Sequence, residues 1–208
     1  MKKLKFIIAM TVIGLLLSAC SGNADKPSEN SVSEQKSSGS ISSEADTDVS
    51  DNTSESGILS SFTTVDIDQN KVDSSVFKGK KLTMVNIWAT YCSPCINEMP
   101  ELAEISSEYK DRDFQIIGMP IDTINSDGSA SDDQVKEAKS VIDSTGADYL
   151  HILPSLDSMT ELISTISAVP TTVFVDENGN QVGDTYVGAK TKEDWESVID
   201  GLLKEVEK

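Results

Sequence analysis

The sequence is poor in positive charge and in aromatic residues. Its 208 residues carry 17 Lys+Arg against 35 Asp+Glu, so that the formal net charge is -18 and the isoelectric point is near 4.3. Such a chain repels phosphate backbones, and we expect no nucleic-acid binding. The sequence also lacks the run of about 18 apolar residues that a membrane-spanning helix needs. Its length predicts one folded domain with additional unstructured chain.

The amino-terminal segment has the pattern of an export signal. Lys2, Lys3 and Lys5 precede an apolar stretch from Phe6 to Leu17. As a helix this stretch rises only about 18 Å, which is short of the ~30 Å hydrocarbon core and makes an uncleaved spanning anchor the weaker interpretation. We therefore predict that residues 1–19 are a signal peptide.

The apolar stretch ends in Leu17-Ser18-Ala19-Cys20, which resembles the lipobox of bacterial lipoproteins. The resemblance implies that Cys20 becomes the first residue of the mature protein and carries diacylglycerol. Two or three acyl chains on one residue would supply the multiple signals that stable membrane anchoring requires. The alternative is an ordinary secretory peptide in which Cys20 is incidental.

The segment from residue 20 to 57 is rich in Ser, Asp, Glu, Asn and Thr. It cannot bury enough apolar area to offset the loss of chain entropy, so we predict a disordered tether. As a flexible coil it would span roughly 33 Å. The folded domain would then comprise residues 58–208.

The domain alternates strand-like and helix-like patterns, which predicts an α/β fold. Apolar runs predict central strands at Leu82–Ala89, Phe114–Met119 and Thr172–Val175. Helical spacing predicts three helices. They cover Asp132 to Gly146, Leu156 to Ile166 and Trp195 to Val206. The residues Glu177-Asn178-Gly179-Asn180 predict a hairpin, so the last two strands should be antiparallel.

The first predicted strand is followed by Cys92-Ser93-Pro94-Cys95 and then by a long polar helix. Pro94 suits the first helical turn, where its missing N–H is not needed. The helix N-terminus stabilises a thiolate, and CxxC motifs lower the thiol pKa below its free value. We predict that Cys92 is the nucleophile and that Cys95 resolves the mixed disulfide formed on Cys92.

A cysteine pair of this kind has other known uses. Zinc needs about four ligands, and after lipidation of Cys20 only Cys92, Cys95 and His151 remain. Haem attachment needs a His directly after the second Cys, where Ile96 stands. A purely structural disulfide stays possible, although so short a loop restricts the unfolded chain little. We expect no metal and no cofactor beyond the redox-active disulfide.

The run from Val85 to Pro100 (VNIWATYCSPCINEMP) resembles the TlpA/ResA-like branch of the thioredoxin superfamily. The resemblance implies a three-layer fold with a central mixed sheet, helices on both faces and a helical insertion near residues 132–146. It also implies a cis bond at Val169-Pro170 beside the active site, with the Val169 backbone free to pair with a bound peptide. Trp88 would pack beside the site.

Two further positions follow from this resemblance. Asn86 stands where cytoplasmic thioredoxins keep a buried acid, and Glu98 is the candidate substitute. In ResA-like proteins the matching Glu tunes the cysteine pair and helps to recognise the partner. The alternative is that Glu98 only favours the positive helix start, worth about 0.3 to 1 kcal/mol. His151 is expected to be a strand residue with a satisfied hydrogen-bond partner.

The resemblance implies a membrane-tethered, extracytoplasmic thiol-disulfide oxidoreductase that reduces the disulfides of exported proteins. Electrons would come from an integral membrane thiol carrier of the CcdA/DsbD type. The acceptors would be apocytochrome c or exported methionine sulfoxide reductases. The alternatives are an oxidase or isomerase of secreted proteins and a non-catalytic lipoprotein binding module. A peroxiredoxin is disfavoured because Ala89 replaces the required Thr and Arg112 follows the active-site helix.

Overall fold

A computed structural model describes residues 57–207. The predicted signal peptide, Cys20 and the predicted tether up to residue 56 lie outside the described residues and remain predictions. Within residues 57–207 no helix is long and apolar enough to cross a membrane.

The described chain begins with a short antiparallel hairpin that the sequence patterns did not predict. Its strands are β1 (Thr63–Val65) and β2 (Lys71–Asp73), and a 3₁₀ turn (Ser74–Phe77) follows. Asp66 closes the hairpin, because one carboxylate oxygen accepts the backbone N–H groups of both Asp68 and Asn70 at 2.8 Å. Three-residue strands carry too little periodicity to be read from sequence.

Five strands form the central mixed sheet in the order β5-β4-β3-β6-β7. They are β3 (Leu82–Trp88), β4 (Phe114–Pro120), β5 (Leu150–His151), β6 (Thr171–Val175) and β7 (Tyr186–Val187). β4 runs parallel to β3 and β5 runs parallel to β4, whereas β6 and β7 are antiparallel to their neighbours. The three predicted central strands are confirmed.

Within the described part of the chain, four helices flank the sheet. They are α1 (Ser93–Glu108), α2 (Asp132–Thr145), α3 (Thr160–Thr165) and α4 (Lys192–Val206). The predicted end of α2 is confirmed, because Gly146 has a left-handed φ of 68° and donates its N–H to the Ile142 carbonyl. A side chain at this position would be strained, so a glycine ends the helix there.

The predicted helix from Leu156 to Ile166 is wrong at its start, because α3 begins only at Thr160. The residues before it form a turn that docks on β1 instead. The Ser158 hydroxyl donates to the Thr63 carbonyl at 3.0 Å, and the same oxygen accepts the Thr63 N–H at 3.3 Å. This tertiary contact takes the place of the first helical turn.

The predicted hairpin after β6 is present. Asp176 accepts the backbone N–H groups of Asn178 and Asn180 at 2.8 and 2.9 Å, and an antiparallel bridge joins Val175 to Gln181. The returning chain then pairs as β7, further along than the residues immediately after the turn. The antiparallel relation of the last two strands is confirmed.

Two apolar clusters fill the space on the two faces of the sheet. One cluster joins the sheet to α1, α2 and α4 through residues such as Leu102, Val141 and Trp195. The other joins the sheet to α3 and the amino-terminal segment through Phe77 and Leu162. Helices therefore cover both faces, and the three-layer arrangement with its helical insertion α2 is as predicted.

Candidate active site

The two cysteines lie where the central strand meets the first helix. The chain leaves β3 at Trp88 and turns, with the Cys92 N–H donating to the Ala89 carbonyl at 3.0 Å. Cys92 then caps α1, since its sulfur accepts the Cys95 N–H at 3.2 Å. Pro94 occupies the first helical turn, as its lack of an N–H allows. Cys92 is thus held at the positive end of a 16-residue helix.

Cys92 and Cys95 form a disulfide with an S–S distance of 2.00 Å and a Cα–Cα distance of 5.3 Å. The two residues differ in access, because 6% of Cys92 is exposed and Cys95 is completely buried. Ser93 and Pro94 are exposed beside Cys92, and 74% of the Tyr91 surface is exposed. A partner thiolate can therefore approach Cys92, with Cys95 as the leaving sulfur.

Asp122 holds the loop that leads to Cys92. Its carboxylate accepts the Thr90 N–H at 3.1 Å and the Thr90 hydroxyl at 2.6 Å. The Ile121 N–H donates to the Trp88 carbonyl at 2.8 Å, which extends the pairing with β3 one residue past the end of β4. Sequence analysis missed Asp122, because a loop carboxylate carries no local signal of its distant partner.

Glu98 is buried behind the disulfide, one turn along α1 from Cys95. One carboxylate oxygen accepts the Asn86 amide N–H at 3.1 Å. The other accepts the Lys190 backbone N–H at 3.2 Å and the Trp195 indole N–H at 3.4 Å. The carboxyl thus joins α1 to β3, to the loop before α4 and to α4 itself.

Burial raises the pKa of Glu98 above its ordinary value, while the three N–H donors act in the opposite direction. Glu98 is therefore a buried carboxyl with three hydrogen-bond donors. Residues three apart on a helix lie about 5 to 6 Å apart at Cβ, so Glu98 and Cys95 are neighbours on one face of α1. Of the groups around this carboxyl, sequence analysis identified Asn86 and missed Lys190 and Trp195.

The Val169–Pro170 peptide bond is cis. Pro170 directly precedes β6, and the first residue of β6, Thr171, pairs with Ile87. Val169 and Pro170 therefore lie at the end of the sheet where β3 finishes and the chain continues towards Cys92. Val169 lines a groove of about 250 Å³ together with Tyr91 and other mainly apolar residues. These are Ile121, Ile163, Ile166, Ser167 and Ala168. The groove thus reaches Tyr91, the residue directly before Cys92, and most of its lining side chains are apolar.

The sequence-based predictions also concern Trp88 and Arg112, and the structure places the first in the core and the second far from the cysteines. Trp88 is completely buried, with its ring edge-on to His151 at a centroid distance of 5.7 Å. Arg112 lies beyond the far end of α1, where it pairs with Asp200 at 2.7 Å. It therefore does not serve the cysteine pair as a peroxidase arginine would.

A helix-capping cysteine, a buried second cysteine and a buried acid one turn further on make this an exchange site for disulfides. The fold and the site together define a thiol-disulfide oxidoreductase of the thioredoxin type.

The chain belongs to the Redoxin family, whose model matches residues 47–203. It is 29% identical over 140 residues to the thiol-disulfide oxidoreductase ResA of Bacillus cereus, covering 66% of this chain and 72% of that protein. It is 32% identical over 124 residues to the thioredoxin-like protein YneN of Bacillus subtilis, covering 59% of this chain and 65% of that protein.

Among solved structures, the chain resembles a thiol:disulfide interchange protein of the thioredoxin family from Chlorobium tepidum. The TM-score is 0.57 at 24% identity, with 69% of this chain and 93% of that chain covered. The thioredoxin-like fold is thereby confirmed, and so is the resemblance to ResA-like proteins.

The buried Glu98 predicts a pH dependence of stability. Because its folded pKa lies above the ordinary value of 4.5, its contribution is fully favourable below pH 4.5 and is lost as the pH rises through the folded pKa. Each pH unit between the two pKa values corresponds to about 1.4 kcal/mol. We expect the unfolding free energy of Glu98→Gln, minus that of the wild type, to grow from pH 4.5 to neutrality.

Urea unfolding of the oxidised protein measures this difference. Ser107→Ala changes an exposed residue of the same helix and should keep the wild-type pH profile. Parallel profiles for Glu98→Gln and the wild type would show that the carboxyl has the same pKa in both states.

Proposed function

We propose that this protein is a membrane-anchored, extracytoplasmic reductase of disulfides in exported proteins. It takes electrons from an integral membrane thiol carrier of the CcdA/DsbD type. It delivers them to apocytochrome c or to exported methionine sulfoxide reductases. The similarity to ResA and the export and lipobox patterns ending at Cys20 support this proposal. The observation that carries it is the disulfide at the start of α1, with only Cys92 open to a partner.

The reaction has two halves, and each half consists of two thiol-disulfide exchanges through a mixed disulfide. A carrier thiolate attacks the Cys92 sulfur, Cys95 leaves as a thiolate and takes up a proton, and the second carrier thiol releases reduced Cys92. Cys92 then attacks the disulfide of the exported protein, and Cys95 resolves the mixed disulfide. Two electrons and two protons pass from carrier to substrate, and the Cys92–Cys95 disulfide returns.

The electrostatics of the pair favour the reducing direction. A disulfide is a strong oxidant when its reduced thiolate form is stabilised. Here the helix start stabilises a charge on Cys92, whereas the Glu98 carboxyl opposes a second negative charge on Cys95. The reduced pair therefore gains less stabilisation than in an oxidant, and it passes its electrons on more readily.

The groove beside Cys92 suits an extended segment of the partner. Tyr91, Ile163 and Ile166 offer apolar contacts, and Val169 lies at the same edge with its backbone at the end of β6. An unfolded segment around a substrate cysteine pair exposes both apolar side chains and backbone groups. Newly exported proteins awaiting haem attachment or repair present such segments.

The direction of electron flow predicts a reduction potential of about -220 mV or lower. The measurement uses Cys20→Ser, which leaves Cys92 and Cys95 as the only two thiols of the chain. Equilibration with dithiothreitol or glutathione buffers, followed by thiol counting, gives the value. A potential near -120 mV, as in the strong oxidant DsbA, would make the protein an oxidase of secreted proteins instead.

The assigned roles predict different behaviour for the two cysteines. Cys95→Ser should accumulate mixed disulfides between Cys92 and the natural partners, because the resolving sulfur is gone. Cys92→Ser should reduce insulin no faster than the uncatalysed reaction. Mass spectrometry after acid trapping of membranes identifies the partners, with the Cys92→Ser/Cys95→Ser double variant as the matched control.

The partners trapped by Cys95→Ser decide between the proposed acceptors. A membrane carrier together with apocytochrome c or a sulfoxide reductase supports the proposal. A wild-type chain that turns over no insulin, with a pair insensitive to mild reductants, would instead indicate a binding module that uses the disulfide as a staple.

Lipidation of Cys20 predicts that the wild-type chain enters the detergent phase on phase partitioning, because multiple acyl chains anchor stably. Cys20→Ser should move to the aqueous phase and retain its insulin-reducing activity. A wild-type chain found in the aqueous phase would show that Cys20 is incidental and that the protein is secreted.

A further inference from the structure

Four buried polar atoms lack a hydrogen-bond partner among residues 57–207. They are Asn86 Oδ1, Trp88 Nε1, Tyr149 Oη and His151 Nδ1. Buried polar groups are nearly always paired, because an unpaired one keeps its full desolvation cost. Four such atoms in one domain therefore need an explanation, and their positions supply it.

The four side chains meet in one region beneath the active site. Asn86 pairs with Gly118, and Gly118 pairs with His151, so these residues form one row across β3, β4 and β5. Trp88 is two residues after Asn86 and faces the same side of β3. The His151 ring stacks on Tyr149 at 4.7 Å and lies edge-on to Trp88 at 5.7 Å.

Gly118 makes this arrangement possible. A Cβ atom at this position would lie 2.2 Å from His151 Nδ1, so the imidazole ring covers the glycine backbone. Gly118 separates His151 from Asn86 in the row, and the ring is therefore displaced towards the Asn86 amide. Because Gly118 has no side chain, His151 Nδ1 occupies the position between the two neighbouring strands where a Cβ would otherwise lie, next to Asn86 in the row.

The hydrogen-bonding character of each atom is fixed by its other contacts. His151 Nε2 lies 2.9 Å from the Ala147 carbonyl, which can only accept, so Nε2 carries the proton. Burial lowers the pKa of His151 to about 4, and the ring is neutral with Nδ1 as an acceptor. The Asn86 amide nitrogen is occupied by Glu98 and Thr172, which leaves Oδ1 as a second acceptor.

The other two atoms are donors. The Trp88 indole nitrogen can only donate, and the Tyr149 hydroxyl can donate. Two acceptors and two donors complement a single water molecule, which itself donates twice and accepts twice. Buried waters in proteins make about three such bonds, so this set is more than sufficient to hold one.

We propose that Asn86, Trp88, Tyr149 and His151 bind one internal water molecule beneath the disulfide, and that this water orients the Asn86 amide towards Glu98. By donating to Oδ1, the water holds the amide with its N–H groups facing Glu98 and Thr172. Tyr149 and His151 are then positioning residues for the Glu98 carboxyl. The inference concerns the exchange site itself and does not depend on the direction of electron flow.

The water can be detected through the two tryptophans of the full chain. Trp88 and Trp195 are its only ones, and the Trp195 indole N–H is bound to Glu98. In the protein with ¹⁵N-labelled tryptophan, we expect cross-peaks between water and the Trp88 indole proton in both nuclear Overhauser and rotating-frame Overhauser spectra. The cross-peaks should have opposite signs in the two spectra, as they do for a long-lived bound water. Trp88→Phe assigns the signal, and the Trp195 proton is the internal control without such a peak.

Tyr149→Phe separates a bound water from proton exchange through the hydroxyl. The variant keeps the aromatic ring, and the water retains three partners, so the Trp88 cross-peak should remain. A cross-peak that disappears in Tyr149→Phe, or one that is missing from the wild type, would overturn the proposed water site.

The pKa of Glu98 tests whether the proposed water orients the Asn86 amide. His151→Phe keeps a ring beside Tyr149 and Trp88 but removes an acceptor, so one O–H of the water is left buried without a partner. That costs more than the unpaired lone pair left by Tyr149→Phe, so the water and the amide orientation are lost. The Glu98 carboxyl then loses its Asn86 donor, and its pKa should rise by about one pH unit. ¹³C spectra of labelled glutamate measure this titration, with Glu98→Gln identifying the signal.

The other titratable groups near the Glu98 carboxyl are kept constant in this comparison. They are Glu101 on the same helix, Lys190 in the loop before α4, and Tyr149 beside β5. Tyr109→Phe is the matched control, because its hydroxyl bonds Asp200 rather than the polar row, and it should leave the Glu98 titration unchanged. The same Glu98 pKa in His151→Phe and the wild type would overturn the positioning role.

Discussion

The pairing of β3 with β4 on one side and β6 on the other determines where the two sulfurs lie. All seven residues of β3 are buried, so the strand is held by backbone hydrogen bonds at both edges and by apolar contacts on both faces. The contacts of Trp88 with Ile121 and of Thr90 with Asp122 continue this restraint beyond the strand. These contacts fix the position of Cys92 and the start of α1 at the end of the central strands.

This rigidity matters because the site contains polar groups that are costly to bury. Glu98 accepts hydrogen bonds from β3, from the loop before α4 and from α4, so three separate elements compensate the burial of its carboxyl. Three hydrogen bonds that hold α1 against its neighbours therefore depend on one carboxyl. The same helix carries the disulfide, so this carboxyl lies one turn along α1 from Cys95.

Sequence patterns predict the long elements and the cysteine pair, because periodicity, Gly146 and the CxxC spacing are local signals. They fail for the β1–β2 hairpin and for the start of α3, where short segments follow tertiary contacts such as that of Ser158 with Thr63. The row of Asn86, Gly118 and His151 could not be predicted either. Its members are distant in sequence, and only the sheet register brings them together.

The chain enters the domain at the end of the sheet opposite the disulfide. The Leu59 N–H donates to the Gly179 carbonyl in the hairpin after β6, near the end of the sheet where Thr83 pairs with Val175. The disulfide lies beyond the other end of β3, about 20 Å away at the rise of a seven-residue strand. The chain entry and the exchange site are therefore separated by the length of the central strand, and the segment before residue 57 joins the domain away from Cys92.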